Sequence, residues 1–261
     1  MESDNLSFGE HLEVMRKMLF RIICVTAFLM IVIFCFKDTT FSLLLAPSHD
    51  DFITYKWMES LAALVGVDFH FQGYSINLIA TNLSSQFMMH ITASAYLALL
   101  AASPYICYEL FRFISPALYD NERRYSTRIV TVVYLLFLVG VLITYFLLFP
   151  IAVRFLGTYQ VADAVKSTIT IDSYIGTFTT LTLLMGLVFQ LPVIIFFLAK
   201  MGIVTPEILS RYRRHALVAI AIVSAIITPP DVMTLILVTV PMYLLYELSI
   251  IVARRVKTKT T

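Results

Sequence analysis

Ser115-Pro-Ala-Leu-Tyr-Asp-Asn-Glu-Arg-Arg124 is a charged hinge set between two long apolar runs, Phe87–Phe113 and Ile129–Phe149. Each flanking run reaches the length of about 20 residues that a helix needs to cross a bilayer core. Inside hydrocarbon every backbone polar group must be satisfied within the segment, so such runs are read as helices. The hinge is then a short loop at a membrane surface, and the chain is expected to be all-α and polytopic. It carries two carboxylates, Asp120 and Glu122, the second directly followed by two guanidinium groups, Arg123 and Arg124.

Working outward, the composition agrees. Of 261 residues, 59% are hydrophobic and only 14% charged, and the mean hydropathy of +0.86 excludes a water-soluble globule. Four more apolar runs, Leu19–Phe36, Tyr174–Ala199, Ala216–Thr228 and Val232–Ala253, bring the expected spans to six. The fifth span has only 13 residues before Pro229-Pro230, so with the sixth it forms a short helical hairpin; two prolines would break a continuous backbone ladder. No repeat, linker or second module is evident, and residues 1–261 are expected to form one membrane domain. Its larger external segments are 37–86 and 151–172. Within the first, Phe52–Val67 has amphipathic helical spacing, with Tyr55 and Trp57 suited to the headgroup belt.

Charge sets the orientation. Fifteen of the 19 Lys and Arg residues fall in the amino terminus through Arg21, Arg112–Arg128, Lys200–Arg214 and the carboxyl tail. The opposite side keeps only Lys37, Lys56, Arg154 and Lys166. The positive-inside rule places the basic side, and with it both termini, in the cytoplasm. The net charge of +2 hides this asymmetry and gives no reason to expect nucleic acid. Cys24, Cys35 and Cys107 all lie in apolar spans without metal or disulfide spacing, so free buried thiols are expected. The polar residues before the first span read as a retained signal-anchor rather than a cleavable signal.

Chemistry must come from few groups. His90, Glu109 and Glu247 are the ionisable residues within apolar runs, with Arg112 near an end, and Gln190 adds an amide just before Leu191-Pro192. Buried polar groups in a bilayer are costly and face a partner or a wet cavity. His90 reads as structural, and Glu109 and Glu247 lie close enough to the cytoplasmic ends to reach water. Helix-borne Pro104, Gly140, Gly176, Gly186, Pro192 and Pro241 read as kinks and close-packing points. Catalytic, phosphate-binding and metal-ligand patterns are absent, so neither enzymatic activity nor a cofactor is expected. A protein receptor or conduit and a proton-coupled small-solute transporter remain. Polar chemistry concentrated at one face favours capture of a charged ligand there, whereas a transporter places its ligands at the midplane.

Together the motifs resemble a family. Phe113-Ile-Ser-Pro-Ala-Leu-Tyr119 with Glu122-Arg-Arg124 resembles the first cytoplasmic loop of TatC, the receptor subunit of the twin-arginine protein translocase. His11-Leu12 with Arg16-Lys17 is similar to its amino-terminal motif, His-Leu-x-Glu-Leu-Arg. Ala46-Pro47, Tyr145-Phe146, Phe149-Pro150, Met201-Gly-Ile203, Pro206-Glu207, Thr228-Pro-Pro-Asp231 and Pro241-Met-Tyr243 with Glu247 follow in family order.

The resemblance implies six helices in a concave, glove-like bundle in the bacterial inner membrane. It also implies binding of twin-arginine signal peptides on folded cargo. Transport would be driven by the proton-motive force with single-span TatA- and TatB-type partners, alongside self-association in a larger complex. By the resemblance, Glu122 accepts a cargo guanidinium, while Phe113, Leu118 and Tyr119 line the site. Bidentate carboxylate–guanidinium pairing explains a demand for arginine over lysine. Two arginines call for two acceptors, yet the motif's amino-terminal glutamate falls on Val14 here. Glu10 and Glu13 are the nearby carboxylates; Glu10, one turn before Val14 on nearly the same face, is the expected substitute, with Arg16 beside them. Gln190 stands where many relatives have glutamate, which suggests an amide bond to a partner helix. Pro47, Tyr145, Asp231 and Glu247 complete the expected partner and translocation set.

Overall fold

The computed structural model describes residues 8–64, 76, 78–114, 126–159, 162 and 168–257. Its helices are α1 (Phe8–Cys35), α2 (Lys37–Leu45), α3 (Ile53–Leu64), α4 (Ser85–Ile114), α5 (Ser126–Ile143), α6 (Phe149–Thr158), α7 (Ile171–Val188), α8 (Leu191–Lys200), α9 (Pro206–Arg211), α10 (Arg213–Ile227) and α11 (Val232–Lys257). A 3₁₀ turn, Ala46–Ser48, follows α2, and a π-helical turn, Thr144–Leu148, joins α5 to α6. The only strands among the described residues are two-residue ones, β1 (Leu78–Ile79) and β2 (Ile169–Thr170), which pair in parallel. The chain is a polytopic, all-α membrane protein. Among the described residues, five helical stretches are long and apolar enough to cross a membrane: Leu12–Cys35, Ser85–Phe113, Ile129–Thr158, Ile171–Lys200 and Val232–Val256.

Helix α10 explains the shortfall from the expected six. Its 15 residues extend only about 22 Å, less than the roughly 30 Å of a hydrocarbon core. It turns into α11 at Thr228-Pro-Pro-Asp231, the expected hairpin, and Asp231 caps α11. Elsewhere the expected third span runs past Phe149, because the π-helical turn admits Pro150 without ending the helix, which continues to Thr158.

The residues group into two compact units. The first comprises residues 1–43 and 87–135, that is α1, most of α2, α4 from Phe87 and the start of α5. On α1, Phe20, Ile23, Phe28 and Ile31 are exposed, an apolar surface suited to acyl chains. Pro104 has no N–H for the Leu100 carbonyl, and the Ser103 hydroxyl donates to that carbonyl at 2.6 Å. His90, expected to be structural, stacks on Phe34 with ring centroids 4.0 Å apart.

The second unit comprises residues 44–86 and 136–261. Its core holds a reciprocal packing of glycine and phenylalanine. Gly140 of α5 accepts the Phe189 ring, while Gly186 of α7 accepts the ring of Phe137, so each helix offers a hole and a knob at three-residue spacing. Around Phe149, the rings of Tyr174 and Phe178 lie edge-on at 5.0 and 4.8 Å.

Two expectations are corrected. Tyr55, expected in the headgroup belt, is fully buried on α3, whereas Trp57 two residues on is exposed. The alternation follows from the amphipathic helix, whose inner face carries Tyr55 against the helical stem. Of the free thiols, Cys24 and Cys35 are exposed rather than buried; they lie on the outward faces of α1.

Candidate functional site

In the first unit, α1 begins and α4 ends at the same end, and one ion pair ties them there. Arg21 Nη1 lies 3.3 Å from Glu109 Oε1, which also accepts the Tyr105 hydroxyl at 3.0 Å. Glu109 is nearly inaccessible (6% of its side chain), while Arg21 is half exposed (47%). A buried carboxylate needs this compensation, since removing its partner would leave an uncompensated charge.

The candidate residues fall around this pair. Phe113 is half-buried on α4, one helical turn beyond Glu109. Val14 precedes Arg21 by seven residues and therefore lies on nearly the same stripe of α1, with buried Met18 between them. Arg16 is exposed, and Glu13 is paired with Lys17 at 2.8 Å, an i,i+4 contact along α1. Arg112 is exposed beside Glu109 on α4. Glu122, Leu118, Tyr119, Arg123 and Arg124 lie outside the described residues. So does the side chain of Glu10, although its backbone belongs to α1.

The five partner and translocation candidates all fall in the second unit, and they divide among four places. Pro47 and Tyr145 belong to one aromatic cluster. The Tyr55 hydroxyl lies 2.9 Å from the Pro47 carbonyl and 3.1 Å from that of Pro150, sharing one proton between two acceptors. Tyr145 stacks edge-on against Phe52 at 5.6 Å and Phe178 at 6.0 Å. Pro150 offers no N–H to the Phe146 carbonyl, and that carbonyl accepts the Thr54 hydroxyl. The Tyr174 hydroxyl donates to the Leu44 carbonyl at 3.1 Å, and the Arg154 guanidinium lies 5.0 Å from the Tyr55 ring centre. These bonds fasten α3 and the 3₁₀ turn onto α6 and α7. The paired residues Ala46-Pro47 and Phe149-Pro150 of the sequence motifs thus meet at a single hydroxyl.

Asp231 immediately precedes α11 and Glu247 lies within it, about 24 Å away by helical rise, so they do not form one site. Asp231 Oδ1 accepts the Thr234 N–H at 2.7 Å, the arrangement of a helix N-cap, and its other oxygen accepts the Thr234 hydroxyl. Arg213 pairs with Glu247 through one hydrogen bond, Nη2 to Oε2 at 2.9 Å; its Nε lies 2.9 Å from Oε1 without hydrogen-bond geometry, and the Tyr243 hydroxyl lies 3.1 Å from Oε1. Gln190, at the turn between α7 and α8, donates from Nε2 to the Gly186 carbonyl at 3.4 Å.

Both carboxylates therefore share a design that escaped the sequence reading. Tyr105-x-x-x-Glu109 and Tyr243-x-x-x-Glu247 each carry tyrosine one turn before glutamate on one helix, with an arginine arriving from another. The tyrosine–glutamate spacing is visible in the chain; which arginine completes each pair is not. Among the described residues no group of three His, Cys, Asp or Glu side chains could hold a metal.

Comparison with known proteins matches this architecture. The family described as "Sec-independent protein translocase protein (TatC)" matches residues 10–241. A TatC of Blattabacterium sp. subsp. Periplaneta americana (strain BPLAN) is 33% identical over 262 residues, covering 99% of this chain and 98% of that protein. TatCy of Bacillus subtilis (strain 168) is 36% identical over 179 residues, 69% of this chain and 70% of its own length. The crystal structure of a twin-arginine translocase receptor, TatC, superposes with a TM-score of 0.75 at 30% identity, covering 95% of this chain and all of that one. With the helical order and motif positions already in agreement, the chain belongs to the TatC family and is a polytopic membrane component of the twin-arginine translocase.

Proposed function

We propose that this TatC protein is the receptor that captures twin-arginine signal peptides at the cytoplasmic face of the bacterial inner membrane. The observation that carries this reading is the first unit's charged end. There α1 and α4 are joined by Arg21–Glu109, and Glu122 follows α4 by eight residues in the sequence. Glu122 takes a cargo guanidinium in bidentate fashion, and Phe113, Leu118 and Tyr119 line the peptide's path beside it. Glu10, Glu13 and Arg16 set the charge on the α1 side. Every helix end that carries the basic bias, including both termini, lies in the cytoplasm.

The captured peptide's apolar stretch inserts along the helices, and single-span TatA- and TatB-type proteins assemble on the second unit. Gln190 and the Tyr145 region offer contacts there, as do Asp231 at the start of α11 and Glu247 further along it. Pro47 holds the external cap in register. The proton-motive force supplies the free energy of transport, and the protein itself carries out no chemical step. Nothing among the described residues favours a small-solute transporter.

Peptide binding to the purified full-length protein tests the proposal. A twin-arginine peptide is expected to bind at least tenfold more tightly than its twin-lysine variant, about the value of one charge-assisted hydrogen bond. Equal binding of the two peptides would sink the receptor reading.

A further inference from the structure

We infer that Glu109 is a second acceptor for the cargo arginine pair, held in the unloaded protein by Arg21 as an internal stand-in. The inference rests on the receptor reading above and adds a specificity-determining residue to it.

Four observations support the exchange. The first concerns geometry: at 3.3 Å through a single nitrogen, Arg21–Glu109 is longer than the 2.7–2.9 Å usual for charge-assisted pairs. The equivalent pair in the second unit, Arg213–Glu247, also makes one hydrogen bond, but at 2.9 Å, and its Nε approaches the other oxygen at 2.9 Å. One pair is tight and the other loose. The second concerns capacity. Arg21 and Tyr105 both address Oε1, and Oε2 of Glu109 has no hydrogen-bond partner among the described residues. A carboxylate accepts at both oxygens, so a fork-shaped guanidinium fits where a single prong now rests.

The third is mobility of the stand-in. Glu109 is buried and braced by Tyr105, while Arg21 is half exposed on α1 and free to swing toward water. The fourth is charge balance. Arg16, Lys17, Arg21 and Arg112 surround this end, against Glu13 and Glu109 among the described side chains, and Lys17 already engages Glu13. An added cargo arginine would meet net repulsion. Replacing one guanidinium by another keeps the buried carboxylate compensated throughout, which avoids the penalty of an unpaired buried charge.

Placement agrees. Val14, which leaves α1 without a carboxylate at the motif position, lies on the stripe that leads to Arg21, and Phe113 lies one turn beyond Glu109. An arginine entering along that stripe meets Glu109 next. Lysine, with one compact ammonium, cannot reproduce the fork.

The two sides of the pair give the test, because displacement of Arg21 by cargo predicts opposite changes in peptide affinity for the two partners, which a purely structural pair does not. The full-length protein in nanodiscs is titrated with labelled signal peptides carrying Arg-Arg, Arg-Lys, Lys-Arg or Lys-Lys. Glu109→Gln is expected to weaken Arg-Arg binding about tenfold and to erase the preference for arginine at one of the two positions only. Arg21→Gln is expected to act in the opposite direction, tightening Arg-Arg binding severalfold, because the peptide no longer displaces a competitor. Glu10→Ala, at the competing carboxylate of α1, is expected to weaken all four peptides alike. Loss of affinity in both Glu109→Gln and Arg21→Gln, or an equal loss for all four peptides in Glu109→Gln, overturns the inference while leaving the receptor reading intact. Loss of one-position preference in Glu10→Ala instead moves the second acceptor to α1 and overturns it too. A native protein that does not distinguish Arg-Arg from Lys-Lys overturns the receptor reading itself, and this inference with it.

Discussion

Gly140→Ala offers a stringent check on the packing of the second unit. A Cβ added at Gly140 would lie 2.9 Å from the Met185 carbonyl oxygen and 2.9 Å from Phe189 Cδ2. Ordinary contact begins at 3.4 Å, so the backbone of α7 would have to withdraw by about 0.5 Å. A carbonyl inside a helix cannot do this alone, and the helix must shift against neighbours already at close-packed density. Overpacking of this kind costs about 1–3 kcal/mol. Replacing glycine by alanine in a helix also contributes a favourable term of about 1 kcal/mol, which would blur a single measurement. Gly176→Ala removes that ambiguity. It lies in α7, where an added Cβ meets nothing within 4 Å, so it carries the same propensity gain without the clash. The propensity terms cancel in the comparison, leaving Gly140→Ala about 2 kcal/mol less stable than Gly176→Ala. Reversible unfolding in mixed micelles, titrated with a denaturing detergent and followed by circular dichroism, reads the difference. If the two variants fall within about 0.5 kcal/mol of each other, the inter-helix contact is not the reason for glycine at position 140.

Other consequences are as direct. Tyr55→Phe keeps the buried ring but leaves the Pro47 and Pro150 carbonyls without their shared donor; a loss of about 1–3 kcal/mol is expected, seen as a lower melting temperature and faster proteolysis within residues 44–64. Asp231→Ala removes the α11 cap and should cost about 0.5–2 kcal/mol, whereas Asp231→Asn, still able to accept from the Thr234 N–H, should retain most of the native stability in the same titration. Gln190→Leu, which deletes the amide at the α7–α8 turn, is expected to abolish site-specific crosslinking to a single-span partner helix; unchanged crosslinks and export would remove Gln190 from the partner surface.

Much of this was legible along the chain. Length and apolarity placed five spans because the hydrocarbon core acts on each segment separately. The prolines at 229 and 230 marked the hairpin turn because their effect is confined to their own backbone. Family motifs placed Asp231 and Pro47 among the functional candidates but were silent on what holds them. Asp231 proves to be a local cap, readable in principle from Thr234 three residues on. Tyr55 was misjudged because headgroup and core positions of an amphipathic helix look alike until the surface beneath it is known. That surface is the carbonyl of Pro150, 95 residues away.

What the sequence by itself determined is therefore a helical membrane protein, the uneven spread of basic residues between its segments, and its family's motif order. Those properties are sums over local terms: burial of each apolar run, helix breaking at prolines, and the attraction of arginine and lysine to one face. Only the tertiary structure decided which distant groups share a charge or a cavity. It set Arg21 against Glu109 and Arg213 against Glu247, and put Phe189 into the hole left by Gly140. A glutamate in an apolar run has the same identity whether its arginine is held at 2.9 Å or 3.3 Å. Its partner, the slack in that contact and the accessibility of each side chain depend on helix packing, which no local term encodes.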